Sequence, residues 1–385
     1  MNKIKSENEN EDRKTVLFIA NDTSQLSGSR GPIIDRFLEF GFRVVVLGSL
    51  DSSAGNLREK GVIVKDLDVS RIMFSPLSDL KVFFKISRVY WKYKPDLVHC
   101  FHIKPIILGN LAKMFFSRKS KLVNTITGLG YAFNVRGITN KIAKFAYKIA
   151  LKRCDITIFQ NPDDRDQFVN NGIIDEEKAE VIISSGIDSE EFNFSPETEG
   201  EEVKVLIATR LLWQKGIKEF AEAAEIVSNE EENVKFEVAG GFEEEHADGV
   251  PRTWVEEKDE RGIIDYLGYV ENMPEKLEEI DIFALPSYYR EGVPRASLEA
   301  MATGKPIVTT DAPGCRETVM DEKNGILVPP EDSEALAEVI LDLVRDEEKR
   351  LEMGKKGREI VEERFDIEKI TEKYLDIYRE LGVNI

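Results

Sequence analysis

Short apolar runs alternating with amphipathic stretches set the rhythm of this chain. Runs beginning at Lys14–Ala20 and continuing through Phe42–Leu47, Val62–Leu67, Leu97–His99, Lys121–Thr125 and Ile156–Gln160 read as strands buried on both faces. Gly31–Phe40 and residues 139–153 carry the longer period of helices between them. A second series starts at Lys204–Thr209 and runs through Val234–Val238, Ile264–Leu267, Ile280–Leu285, Ile307–Thr310 and Ile326–Val328. Amphipathic helices follow over 333–345 and 347–363. Two passes of strand and helix predict an α/β protein built on two doubly wound parallel sheets.

Between the passes lies SPETEGEEV, a polar stretch with Pro, Gly and no periodicity, which predicts a linker over 195–202. The expected organisation is then a disordered tail over 1–12, a first domain over 13–194, and a second over 203–366. A last helix within 367–385 is expected to be able to pack back on the first domain.

Composition narrows the class. The 385 residues suffice for two cores, and 42% apolar with 32% charged residues is ordinary for a soluble enzyme. No apolar run reaches the ~18–20 residues of a membrane span, and the charged N-terminus lacks the apolar stretch of a secretory signal. Cys100, Cys154 and Cys315 follow no disulfide or metal spacing, and His99, His102 and His246 are too few for a His-rich centre. A cytoplasmic location is expected, with no metal site and no cofactor.

Charge changes the picture more. The net −19 divides into +15 over Arg71–Arg153 and −25 over residues 191–385. Such asymmetry excludes general nucleic-acid binding and suits one cationic face against an anionic membrane. Within the basic block, Lys141, Lys144, Lys148 and Lys152 share one face of a helix, with Ile142, Phe145 and Ile149 on another. Two readings stand: the apolar face is core and the lysines are solvated, or the helix meets a lipid surface.

Candidate chemistry concentrates in Ser287–Val319. Glu291 precedes a helix that Pro294 is expected to open and Gly304 with Pro306 to close. Glu299 lies in its second turn among Ala296, Leu298, Ala300, Met301 and Ala302, where a carboxylate is costly to bury without a hydrogen-bond partner. Both carboxylates can face the helix N-terminus; a helix cap and a salt-bridged surface Glu are the plainer alternatives. In the first turn after the Lys204–Thr209 strand, Arg210 and Lys215 lead to Gly216. Cations at a helix start oppose its macrodipole, so an anionic ligand such as a diphosphate accounts for them economically. The turn Ser27–Gly31 allows close backbone approach but does not carry the dinucleotide-binding glycine fingerprint.

The Glu291-x7-Glu299 pair followed by EAMA-x-GKP resembles the donor motif of glycosyltransferase family 4, and Arg210-Leu-x3-Lys215-Gly216 resembles its diphosphate motif. Asp96–Pro105, Asn124–Phe133 and Phe159–Arg165 are similar to the sub-pattern of bacterial polysaccharide and lipid-linked oligosaccharide transferases. The resemblance runs over most of residues 14–365. It implies a GT-B fold, two facing Rossmann-like domains with a cleft between them, and metal-independent retaining transfer. The donor would be a UDP-sugar and the acceptor a lipid-linked or nascent glycan at the cytoplasmic membrane face.

On that resemblance Glu291, Gly292 and Val293 contact the donor, Glu299 holds the ribose, and Arg210 and Lys215 hold the diphosphate. Gly28, Ser29, Thr127, Gly128 and Gly130 fall in loops on the acceptor side. Many relatives carry His-x-His after the fourth strand; here Phe101 stands at the second position and His102 follows it, leaving His102 as the candidate contact near the reacting sugar. A UDP-sugar 2-epimerase and a non-catalytic scaffold of transferase ancestry are the competing readings.

Overall fold

The computed structural model describes residues 13–68, 76–116, 119–129, 138–198 and 200–385. It forms two compact units: the chain up to Gly186 together with Ile367–Ile385, and Ile187–Asp366. The expected tail over 1–12 and the residues around Gly130 to Phe133 lie outside the described residues.

The first unit is a seven-stranded sheet in the order β3-β2-β1-β4-β5-β6-β7. Its strands are β1 (Thr15–Asp22), β2 (Arg43–Ser49), β3 (Ile63–Asp66), β4 (Leu97–Phe101), β5 (Lys121–Ile126), β6 (Ile156–Phe159) and β7 (Ala179–Val181). Every pairing is parallel. The order reverses between β1 and β4, which opens a crevice beyond the carboxyl ends of these two strands.

One face of the sheet buries Leu17, Val45, Val98 and Leu122 against Ile86, Ile106 and Tyr147 from helices Pro76–Tyr93, Ile103–Phe116 and Ile138–Leu151. The other buries Phe18, Val44, Val46 and Val123 under Ile34 and Phe37 of helix Gly31–Glu39. The C-terminal helix Ile367–Glu380 joins that second face through Ile370, Tyr374, Leu375 and Tyr378.

The second unit carries a six-stranded sheet in the order β10-β9-β8-β11-β12-β13. Its strands are β8 (Val203–Ala208), β9 (Val234–Ala239), β10 (Asp265–Gly268), β11 (Ile282–Leu285), β12 (Ile307–Thr310) and β13 (Gly325–Val328), all parallel. The strand order reverses between β8 and β11. The polar stretch expected as a linker lies inside this unit: Ser195 N donates to Thr303 O at 2.8 Å, and Thr198 bonds the buried Asp281. Helix Glu347–Ile360 ends before the expected boundary and continues as a π-helical turn, Val361–Phe365.

The structure separates the two readings of the basic block's apolar stripe. On helix Ile138–Leu151 the inward residues are Ala143, Tyr147, Ala150 and Leu151, whereas Phe145 is 66% exposed and Ile142 and Ile149 are exposed beside it. Helix Pro76–Tyr93 likewise turns Leu77, Leu80, Phe84 and Trp91 to solvent among Lys81, Arg88 and Lys92. The stripe Ile142, Phe145 and Ile149 is an outer face, which rules out the reading that made it core. Periodicity identifies such a stripe but not which side meets the sheet.

Candidate active site

The crevice of the second unit is built from the ends of β8 and β11. Past β8 the backbone forms a short 3₁₀ turn, Trp213–Lys215, and enters helix Ile217–Ser228 through Gly216 at φ +83. A Cβ there would collide with the Pro286 carbonyl, so only glycine lets this turn lie against the loop after β11. Gln214 O accepts from both Tyr288 N and Tyr289 N at 2.9 Å, fastening the two loops together. Asp248 fixes the turn from its other side: Oδ2 accepts from Gln214 N at 3.0 Å and its carbonyl from Trp213 N at 2.9 Å.

These contacts bring Lys215 onto Glu291. The ammonium bonds Glu291 Oε1 directly, and the two side chains retain only 9% and 14% of their exposure. Ser287 Oγ lies 3.4 Å from the same carboxylate oxygen, and the Tyr289 ring centroid is 4.9 Å from Lys215 Nζ. Gly314, at φ +86, packs on the other side of Glu291 and Gly292. A Cβ there would lie 2.6 Å from Glu291 O and would collide with Gly292 O. Thr310 Oγ1 donates to Ser287 O and holds the loop from β12.

Helix Arg295–Thr303 is opened by Pro294, which at ψ 115 is its N-cap rather than its first helical residue. The helix closes at Gly304 with φ +92. Glu299 accepts from Arg295 Nε at 2.8 Å one turn back. Burial raises the Glu299 pKa above its ordinary value, and the Arg295 charge pulls the other way. Arg210 is half-exposed and meets Glu243 at 3.5 Å rather than joining Lys215 and Glu291. Gly292 and Val293 form the link from Glu291 to the helix. Each predicted cation thus faces a protein carboxylate, an arrangement the sequence motif alone does not reveal.

In the first unit Gly28 is exposed and Ser29 half-buried in the loop after β1, and Thr127 and Gly128 are half-buried beyond β5. His102 follows β4 at φ +67, half-buried, with its Nδ1 enclosed and unpartnered among the described residues. Burial lowers its pKa to about 4, offset in part by Asp22, so the imidazole is neutral at pH 7. His99 is fully buried between Tyr378 OH at 2.6 Å and Thr125 Oγ1 at 2.8 Å, and braces the C-terminal helix. Sequence reasoning did not single out Ser287, Asp248, Arg295 or Arg30 for the site; a polar residue just past a buried strand was the available signal for Ser287.

Family models match both units: "Glycosyl transferase 4-like" over residues 15–161 and "Glycosyl transferases group 1" over residues 188–360. The chain belongs to the glycosyltransferases of this group 1, 4-like type. The transferase is 29% identical to the Campylobacter jejuni N,N'-diacetylbacillosaminyl-diphospho-undecaprenol alpha-1,3-N-acetylgalactosaminyltransferase, over 96% of this chain and 100% of that one. It is 26% identical to the Escherichia coli UDP-Gal:alpha-D-GlcNAc-diphosphoundecaprenol alpha-1,3-galactosyltransferase, over 85% and 88% of the two chains.

The structure of Anabaena HepE in complex with UDP and glucose superposes with a TM-score of 0.77 at 20% identity, covering 96% of this chain and 100% of that one. A Rickettsia africae glycosyltransferase gives 0.77 at 19% identity, over 97% and 100%. The fold is GT-B, with two Rossmann-like domains. Arg210, Lys215, Glu291 and Glu299 of the transferase fall within the group 1 region, and Gly28, Ser29, His102, Thr127 and Gly128 within the 4-like region.

Proposed function

We propose that the transferase moves a hexose or N-acetylhexosamine from a UDP-sugar to a lipid-linked or nascent glycan, with retention of anomeric configuration, at the cytoplasmic face of the membrane. The observation that carries this reading is the Lys215–Glu291 contact at the β8/β11 switch point, on the segment that also holds Glu299. Donor phosphate would draw Lys215 away from Glu291 and free that carboxylate to orient the sugar hydroxyls. Arg210, from its half-exposed position, would swing from Glu243 onto the diphosphate.

Once on the diphosphate, Arg210 and Lys215 would supply the charge compensation otherwise given by a metal. A preorganised donor on a developing anion contributes about 3–4 kcal/mol to barrier lowering. Glu299 would accept the two ribose hydroxyls. In this reading the departing phosphate oxygen takes the acceptor proton, and the neutral His102 contacts the reacting sugar without competing for that proton.

The names of the C. jejuni and E. coli relatives support a diphosphoundecaprenol-linked acceptor, and the UDP bound to HepE supports the donor. Membrane contact through the 71–153 block is supported by Phe84, Trp91 and Phe145 standing exposed among lysines. No helix among the described residues is long and apolar enough to cross a membrane, which leaves peripheral contact as the mode proposed.

The test is transfer from a panel of UDP-sugars to a polyprenyl-diphosphate-linked sugar, with the product's anomeric coupling read by NMR. Product with the donor's configuration supports the proposal. Donor epimerised without acceptor supports an isomerase instead, and inert donor with no product supports a scaffold.

A further inference from the structure

Arg30 is a buried cation without a counter-ion. It ends the turn Gly28–Arg30 at the entry to helix Gly31–Glu39, is 4% exposed, and forms no ion pair among the described residues. Its hydrogen bond goes to a neutral group, Tyr374 OH, at 3.3 Å. Its guanidinium lies 5.1 Å from the Phe101 ring centroid and 5.3 Å from that of Tyr374. Aromatic faces offset part of the desolvation of a guanidinium, but a buried charge generally meets an opposite one.

Asp22, the acid whose charge bears on His102, accepts hydrogen bonds from Ser24 Oγ, Gln25 N and Gln25 Nε2 and forms no ion pair with Arg30. His102, whose ring feels the charge of Arg30, holds a buried ring nitrogen with no partner among the described residues. Both lie beyond the carboxyl ends of β1 and β4, at the switch point of the first sheet.

We propose that Arg30, backed by Phe101 and Tyr374 and adjoining His102, is an anion-binding residue of the first unit, and that its ligand is a substrate diphosphate. The planar fork of a guanidinium matches two phosphate oxygens, and His102 completes the site as a second hydrogen-bonding group. This rests on the transfer reading above, in which the lipid-linked acceptor and the nucleotide donor both carry a diphosphate. Arg30 is independent of Arg210 and Lys215, which belong to the other unit.

The experiment uses the full chain and three probes by calorimetry: inorganic pyrophosphate, farnesyl diphosphate and UDP, with farnesol as the uncharged control. Arg30→Gln is expected to weaken a diphosphate by about 10- to 100-fold, the size of a lost charge-assisted contact. Arg30→Lys, which keeps the charge and loses the fork, is expected to lie between. Loss confined to pyrophosphate and farnesyl diphosphate assigns the site to the acceptor; loss confined to pyrophosphate and UDP assigns it to the donor.

If every affinity is unchanged in both variants while the melting temperature falls, Arg30 is a brace for the C-terminal helix and the proposal is overturned. Should Arg30→Gln not fold, the Arg30→Lys comparison decides by the same criterion. A wild type that binds neither UDP nor any diphosphate overturns this proposal and the transfer reading together. UDP binding insensitive to Arg30, without farnesyl diphosphate binding, overturns this one alone.

Discussion

The Lys215–Glu291 pair makes a prediction that separates stability from binding. Both side chains are nearly enclosed, at 9% and 14% exposure, so Lys215→Met leaves a carboxylate stripped of its cation in a site with little water. Removing one partner of a fully buried pair costs about 3–5 kcal/mol, and the residual access lowers this to about 2–4 kcal/mol. For a unit the size of Ile187–Asp366, each kcal/mol moves the melting temperature by about 2–4 °C, which gives a fall of roughly 5–15 °C.

Adding Glu291→Gln removes the stranded charge, and the double variant recovers much of the loss, with a coupling of about 1–3 kcal/mol. Binding behaves differently. Lys215 is assigned to the donor diphosphate, so affinity for UDP falls about 10- to 100-fold in the single variant and does not return in the double. Calorimetric melting and UDP titration of the wild type, both singles and the double complete the cycle. Affinity recovering alongside stability would show that Lys215 acts only by holding Glu291, and the diphosphate role would be refuted.

Other outcomes follow from single features. Glu299→Gln is expected to weaken UDP by roughly 10- to 100-fold but to leave 2′,3′-dideoxy-UDP unaffected, since the loss lies in the ribose contact; equal losses for both would contradict it. The Glu299 pKa is raised, so its penalty on folding is absent below its ordinary range near 4.5 and grows as pH rises through the folded value. Glu299→Gln therefore melts no lower than wild type at pH 7, and the difference shrinks as pH falls toward 4, readable by melting across pH. Gly314→Ala must hold φ near +86 against the Glu291–Gly292 backbone; it is expected to cost about 1–3 kcal/mol and to reduce transfer beyond that loss of folded protein. Phe145→Glu with Ile149→Glu alters exposed positions, so melting stays put while partition onto vesicles containing anionic lipid drops several-fold in a sedimentation assay.

Much of this molecule is legible in its sequence, for identifiable reasons. Strands of a parallel sheet covered on both faces are continuous apolar runs, so β1, β2, β8, β9 and β12 stand out within a residue or two. β7 does not, because Ala179–Val181 is three residues at a sheet edge with one acid among them. The donor motif is local, so Glu291, Glu299, Arg210 and Lys215 are visible as types and spacings. Their pairing is not, because Lys215 meets Glu291 through a turn held by Gln214 and Asp248, 34 residues apart in sequence.

The division between units is hidden for a related reason. The chain leaves the first unit at Gly186 and Ile187 and returns at Asp366 and Ile367, with Ile187 fully buried and bridged to Asp366. An ordered, buried crossing has none of the polar marks that drew attention to 195–202. Likewise, Tyr374 and Tyr378 close over Arg30 and His99 from more than 270 residues away, which no local pattern encodes. For the amphipathic helix Ile138–Leu151 periodicity left two readings open, because an interior face made of Ala143, Tyr147 and Ala150 is less apolar than its exposed one.

The central claim is a donor site that takes a uridine nucleotide by protein groups alone. Its most direct test is calorimetric titration of the full chain with UDP, GDP and ADP, each with and without EDTA, on wild type and Glu299→Ala. The account predicts selective UDP binding that EDTA does not alter and that collapses in the variant. Binding that vanishes with EDTA, or that is indifferent to Glu299, would contradict it.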